Sequence, residues 1–262
     1  MTKTFSNYYA KSKKHPKIRS FFLVVLWLML AAAILLSGNF FANLLTGSGF
    51  NIGSGKLKIS GTKFYAIYFG EFDNESDAKQ CAVWVENSGG AGYLYKSDKY
   101  YVLARPYGTL DDANKVAANL GATKYDASVK TFEVKDKRVS IKDLSTTDRR
   151  VLVTKIAKID EIICLIDKVD EEVDRNALTN IAASNAINSY KTTIKALRNE
   201  ISELALKYQN SKLNSLVAYL NLFEDRLDLT VSKLLVSTNQ ACIIKYLLCE
   251  IRLNYYSMLL EM

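Results

Sequence analysis

The chain has 262 residues, with 35 Lys+Arg against 27 Asp+Glu and a single histidine. The length admits one to three compact units, and the net charge of +8 raises a nucleic-acid reading that the distribution of charge removes. Residues 1–60 hold 8 basic residues and no acid, 61–144 hold 12 of each and 145–262 hold 15 of each, so neither later region has the net charge that a phosphate backbone attracts.

The basic arm, residues 1–19, precedes an uncharged run from Phe21 to Leu45. That run covers 25 residues, enough to span a hydrocarbon core of about 30 Å with some tilt. Its apolar core is longer than the roughly 7–15 residues of a secretory leader, and Phe40 and Phe41 stand where a cleavage site wants small residues. The expectation is a membrane helix over 20–45. With six basic residues and no acid before it, the N-terminus is expected in the cytoplasm and the rest outside, and the lipid bilayer is a partner. Residues 46–61 are rich in Gly and Ser and read as a flexible linker.

A unit then occurs twice, 35 residues apart. Tyr65, Ile67, Gly70, Phe72, Asp77 and Ala78 return as Tyr100, Val102, Arg105, Tyr107, Asp112 and Ala113. Each copy alternates apolar and polar residues and then opens an alanine-led amphipathic stretch, which is a strand feeding a helix. The spacing predicts strands at 64–69, 92–96, 100–105 and 129–134 and helices at 76–87 and 110–120. Asp73 or Asn74 and Thr109 are the N-cap candidates. The order βαββαβ is the split βαβ pattern of a ferredoxin-like sandwich, over residues 62–137.

After Gly121 no glycine occurs, and after Pro106 no proline. Residues 145–262 therefore read as long helices with polar junctions at Asp174-Arg175-Asn176 and Gln209-Asn210-Ser211-Lys212. Apolar residues recur every three or four positions: Leu152, Ile156, Ile159, Ile163 and Ile166, then Ile187 to Tyr208, then Leu213 to Leu227. That period suits an antiparallel bundle or coiled-coil seam, closed within the chain or shared with a homo-oligomer or protein partner. The last stretch, Ala241 to Leu260, is broadly apolar and is expected to be the most buried, either central in the bundle or at a partner interface. The predicted class is thus α+β, with a single transmembrane helix, the βαββαβ sandwich and an all-α tail.

Around Phe69-Gly70-Glu71-Phe72, Asp77-Ala78, Tyr100-Tyr101-Val102, Arg105-Pro106-Tyr107 and Asp112-Ala113 the sequence resembles the SPOR (sporulation-related repeat) family. The resemblance covers about 75 residues and departs from the family at Tyr68, where many members carry glutamine, and at Arg105, where the second turn carries glycine. It implies a βαββαβ domain that binds peptidoglycan glycan strands and localises to the cell wall, at division or sporulation sites.

The residues bring a separate argument for a sugar surface. In the first strand Ile67 and Phe69 share a face while Phe64, Ala66 and Tyr68 take the other; in the third, Val102 and Ala104 oppose Tyr101, Leu103 and Arg105. If the first set of each faces the helices, the outer sheet presents Tyr68, Tyr101, Leu103 and Arg105, joined by Tyr93 or Tyr95. Tyrosine pairs an apolar ring with a polar tip, and arginine supplies a fork for carboxylates. The competing readings are that these tyrosines are strand formers or pack against the helical tail. An RNA-recognition sheet has similar aromatics, but export and balanced charge argue against it.

No catalytic, cofactor or metal-binding residues are assigned. The only histidine, His15, lies in the basic arm, away from any external triad or zinc site. Carboxylates suited to a glycosidase pair, Glu71, Glu86, Asp111 and Asp112, fall at turns and helix starts where capping accounts for them. Cys81, Cys164, Cys242 and Cys249 show no metal spacing; Cys164 with Cys242 or Cys249 forms a disulfide, or all four are small buried hydrophobes. The alternative function is a membrane-tethered scaffold acting through helical association.

Overall fold

In the computed structural model, which describes residues 56–120, 125–236 and 240–262, the chain first forms a short strand, β1 (Leu57–Ile59). β2 (Thr62–Phe72) follows, then helix α1 (Glu75–Asn87), strands β3 (Tyr93–Lys96) and β4 (Tyr100–Tyr107), helix α2 (Leu110–Asn119), and strands β5 (Ala127–Val134) and β6 (Lys137–Val139). Four helices complete the chain: α3 (Thr146–Asp174), α4 (Asn180–Tyr208), α5 (Ser211–Val236) and α6 (Gln240–Glu261). Gly55–Met262 forms one compact unit.

Local chemistry sets the helix starts. Asn74 and Thr109 accept from the amides of Asp77 and Asp112, at 2.9 and 3.1 Å, so both copies of the repeat open their helices with the same cap. Ala78 and Ala113 are fully buried against the sheet in each copy. Ser145 and Thr179 cap α3 and α4. The polar junctions end helices without glycine, because Asn176 and Gln209 take the left-handed conformation at φ 53° and 44°.

Strands β3, β4, β2 and β5 lie in that order in one antiparallel sheet, and β1 pairs with β6 in a separate ribbon. One face of the sheet packs Ile67, Phe69, Val102 and Ala104 against Ala78, Cys81, Ala82 and Val85 of α1. Gly70 is the extra residue of a bulge in β2, at φ 69°, and a Cβ there would sit 2.6 Å from the Phe72 ring.

The four long helices are antiparallel neighbours. Asp148 and Lys155 of α3 meet Lys207 and Glu200 of α4; Lys191 and Arg198 meet Asp228 and Glu224 of α5. Arg226 meets Glu250 of α6, and Asp167 and Asp174 of α3 meet Arg252 and Lys245 of α6, which closes the ring. The three seams read from the sequence are buried within the chain; Leu152, Ile159, Ile187, Ile194, Leu216 and Phe223 retain no exposure.

The expected fold class needs correction. The structure is 64% helical, with six helices and a small sheet region among the described residues, rather than an α+β sandwich followed by a tail. Helices of 22 to 29 residues outweigh strands of 3 to 11, and α6 joins the bundle to the sheet. Its Leu247, Leu248, Ile251, Tyr255 and Leu259 pack in the helical core. Its Cys249 and Leu253 pack with Phe64, Ala66, Tyr101, Leu103 and Phe132 on the outer face of the sheet. Among the described residues no helix is long and apolar enough to cross a membrane, and the expected membrane helix over 20–45 lies outside them. Leu57–Ile59, expected as linker, is a strand: Leu57 and Ile59 are buried in the helical core and pair with Val139 and Lys137.

Because α6 serves both cores, sheet and bundle are expected to unfold together. In a Trp27→Phe background, Trp84 fluorescence on α1 and far-UV circular dichroism should give coincident urea transitions, and Ile251→Ala should lower both by about 2–5 kcal/mol. Two separated transitions would show that the two parts fold independently.

Candidate functional site

The period of two along the strands places Phe64, Ala66 and Tyr68 of β2, Tyr101 and Leu103 of β4, and Phe132 of β5 on the outer face of the sheet. α6 crosses this face and divides it. Under the helix, Phe64 stacks on Phe132 at 4.8 Å, and Tyr256 meets both rings edge-on at 6.4 and 5.6 Å. Tyr93 is likewise taken up, its ring 5.1 Å from that of Tyr246, and burial pushes its phenol well up. Leu103 has no exposure. The expected open face is therefore corrected over half its width: Tyr93 and Leu103 are packing residues, because an apolar helix covers them.

Arg105 leaves the surface for a different reason. The β2–β4 register shifts between Ile67 and Tyr68, which makes Ala104 an extra residue and re-aims Arg105 toward α3. Its Nε lies 2.9 Å from Oδ2 of the fully buried Asp170, and its Nη1 lies 3.6 Å from Asp174. Lys245 of α6 joins Asp174 at 2.8 Å and donates to the Gly89 carbonyl at 3.0 Å, while Arg252 pairs with Asp167. Strand β4, helix α3 and helix α6 thus meet in one buried charge cluster. Neither carboxylate oxygen of Asp170 has a hydrogen bond among the described residues. Burial pushes that carboxyl up to about 7 against the pull of Arg105 and Lys245, with Asp174 and Asp167 adding to the rise.

Three of the expected residues stay together at the uncovered corner. Tyr68 and Tyr101 meet edge to face at 5.3 Å, and Tyr95 lies 6.2 Å from Tyr101. Tyr68 and Tyr95 are half-buried, whereas Tyr101 between them is only 5% exposed. The Tyr68 hydroxyl donates to Glu71 at 2.9 Å and that of Tyr101 donates to Asp98 at 3.1 Å. Burial and the Glu71 carboxylate raise the Tyr68 phenol, and burial and Asp98 push that of Tyr101 up to about 12, so both remain protonated donors at neutral pH. The sequence reading missed Lys130, whose Nζ lies 3.6 Å from the Tyr101 ring centroid. It is two residues from Phe132 on β5, so the strand period carries the signal.

Half-exposed rings, phenol hydroxyls, an ammonium and two carboxylates are the groups that stacking on and hydrogen-bonding to a polyhydroxylated ligand would require. Asp111 pairs with Lys115, Asp112 accepts from Thr109, and burial raises Glu86. All four cysteines are free, and Cys81 donates to the Phe69 carbonyl at 3.4 Å. Among the described residues no group of three His, Cys, Asp or Glu is placed to hold a metal ion. No family profile matches the chain, and no curated protein or solved structure shows significant similarity to it.

The Asp170 cluster makes stability depend on pH. Asp170 keeps its proton in the folded chain up to about pH 7, while the unfolded chain loses it near 3.9. Its contribution is therefore fully present below about pH 4 and declines as pH rises to 7, by at most about 1.4 kcal/mol per unit. Urea unfolding should show this decline, and Asp170→Asn should flatten it. Arg105→Met should cost about 3–5 kcal/mol at pH 8, where Asp170 would be buried without its nearest cation, and less at pH 5.

Proposed function

We propose that this chain is a membrane-attached, non-catalytic binding protein of the bacterial cell wall, acting outside the cytoplasm and held by its apolar N-terminal stretch. Its ligand is a peptidoglycan glycan strand, as the SPOR-like residues imply, and the binding places the protein at division or sporulation sites. The observation that carries this reading is the uncovered corner of the sheet. There Tyr68, Tyr95 and Tyr101 stand together beside Lys130. A sugar ring stacks on an aromatic face through its C–H groups, while the phenols, Glu71 and Asp98 offer hydrogen bonds to its hydroxyls.

Lys130 takes the part that the sequence assigned to Arg105. It is the cation nearest the rings, and it suits a carboxylate on the ligand. The scaffold alternative calls for an exposed apolar helical face. The exposed large apolar residues of α3 to α6 are spread over all four helices, Val236 at the end of α5 and Leu206 on α4 being the most exposed, and the seams between those helices are already filled.

The test is retention of the full-length chain in detergent by purified peptidoglycan sacculi. The Tyr68→Ala, Tyr95→Ala double variant should be retained about tenfold less, as expected for losing two aromatic contacts of about 0.5–1.5 kcal/mol each, with an unchanged circular dichroism spectrum. Equal retention of a folded double variant would move the site away from this corner. No retention of the unaltered chain would remove the glycan reading itself.

A further inference from the structure

A second surface of the same unit has the opposite character. In residues 56–63 and 135–143, seven basic residues face two acids, whereas the remainder of 56–262 carries more acids than bases. These two segments contain the β1–β6 ribbon and its flanks. Leu57, Ile59 and Val139 turn inward to the helical core, which leaves Lys58 and Arg138 on the solvent face. Lys58 and Arg138 are direct cross-strand partners, an arrangement of like charges that weakens a ribbon already short of stabilising pairs.

Asp136 offsets Lys58 alone, at 3.0 Å, and Lys63 pairs with Glu133 at 3.0 Å. Lys137 is spent on the end of α6, donating to the Leu259 and Leu260 carbonyls at 2.8 Å each. Lys56, Lys135, Arg138 and Lys142 are exposed, and no carboxylate of the described residues lies within ion-pair distance of them. Four unneutralised cations therefore share one end of the unit. Arg138 lies on β6, and Lys56, Lys135 and Lys142 lie on the flanks of the ribbon.

Along the sequence, this ribbon follows shortly after the apolar stretch. Only residues 46–55 separate Leu45 from Lys56, a segment that even fully extended reaches about 35 Å. Whatever surface holds residues 21–45 is thus within reach of the ribbon. A bilayer with anionic lipids presents a negative potential that attracts such a cluster, at about fivefold in binding per Lys or Arg at the surface.

We propose that the solvent face of the β1–β6 ribbon, with Lys56, Lys135, Arg138 and Lys142, is a docking surface for anionic phospholipid headgroups. This rests on the membrane attachment proposed above and is independent of the glycan corner. Docking orients the unit on the membrane through a folded basic face.

The full-length chain is reconstituted in nanodiscs of phosphatidylcholine alone or mixed with phosphatidylglycerol, and lysine acylation is read by mass spectrometry, with exposed Lys168 on α3 as internal reference. Acylation of Lys56, Lys135 and Lys142 should fall about fivefold or more relative to Lys168 in the anionic discs, and high salt should restore it. The Arg138→Glu, Lys142→Glu variant should restore the reactivity of Lys56 and Lys135 without salt. Equal reactivity in both lipids, in a chain held by the discs, would overturn the docking alone. A chain that does not co-purify with discs would overturn the attachment and the docking together. Stronger protection by soluble polyphosphate in phosphatidylcholine discs than by phosphatidylglycerol would assign the surface to a soluble polyanion and overturn the lipid proposal.

Discussion

The described fold depends on one helix being buried on two sides. Leu247, Leu248, Ile251, Tyr255 and Leu259 of α6 fill the helical core, and Cys249 and Leu253 fill the outer face of the sheet. A helix with apolar residues on two opposite faces buries both only by lying between two other layers, and only a narrow strip of α6 around Tyr246, Ser257 and Leu260 meets water. Without α6 the sheet would expose Phe64, Leu103 and Phe132, and the bundle would lack its fourth wall. The same burial decides what the sheet can bind, because a core helix is not displaced cheaply by a ligand.

The charge cluster acts within that frame. Arg105, Asp170, Asp174 and Lys245 join β4, α3 and α6 where the sheet meets the bundle. Desolvating these groups offsets most of their mutual attraction, so the cluster adds little net stability. Its consequence is positional: one register of α3 and α6 against β4 brings opposite charges together, and a slipped register leaves them buried without a counter-charge. Lys130, Tyr68 and Tyr95 of the open corner lie beyond this joint and stay partly exposed, with Tyr101 buried between the two tyrosines.

Much of the site could be read from the chain. The period of two along the strands correctly separated Ile67, Phe69, Val102 and Ala104 from Phe64, Ala66, Tyr68, Tyr101 and Leu103. The caps at Thr109 and at Asn74, one of two candidates with Asp73, and the helical seams followed from short-range chemistry. Tyr93, Leu103 and Arg105 were misread as ligand contacts for two physical reasons. Periodicity assigns a residue to a face but does not say what covers that face, and α6 begins more than 130 residues after Leu103. The bulge at Ala104 turns Arg105 out of the alternation, and no glycine or proline at Ala104 marks it. Lys130 was legible through its spacing from Phe132 but stood outside the strands used to assign faces.

The sequence by itself determined the elements whose causes are local: the repeated strand-helix unit, its caps, the 3.5-residue seams, and the confinement of excess charge to the N-terminal 60 residues. Each rests on interactions between neighbours along the chain, so the order of residues carries them. Only the tertiary structure decided which of two apolar surfaces meets which. It placed α6 across the sheet, drew Leu57–Ile59 into a ribbon with Lys137–Val139, and reduced a broad aromatic face to one corner. Hydrophobic burial is non-directional and roughly proportional to area, so a sequence pattern shows that a face must be covered while the three-dimensional packing selects its cover.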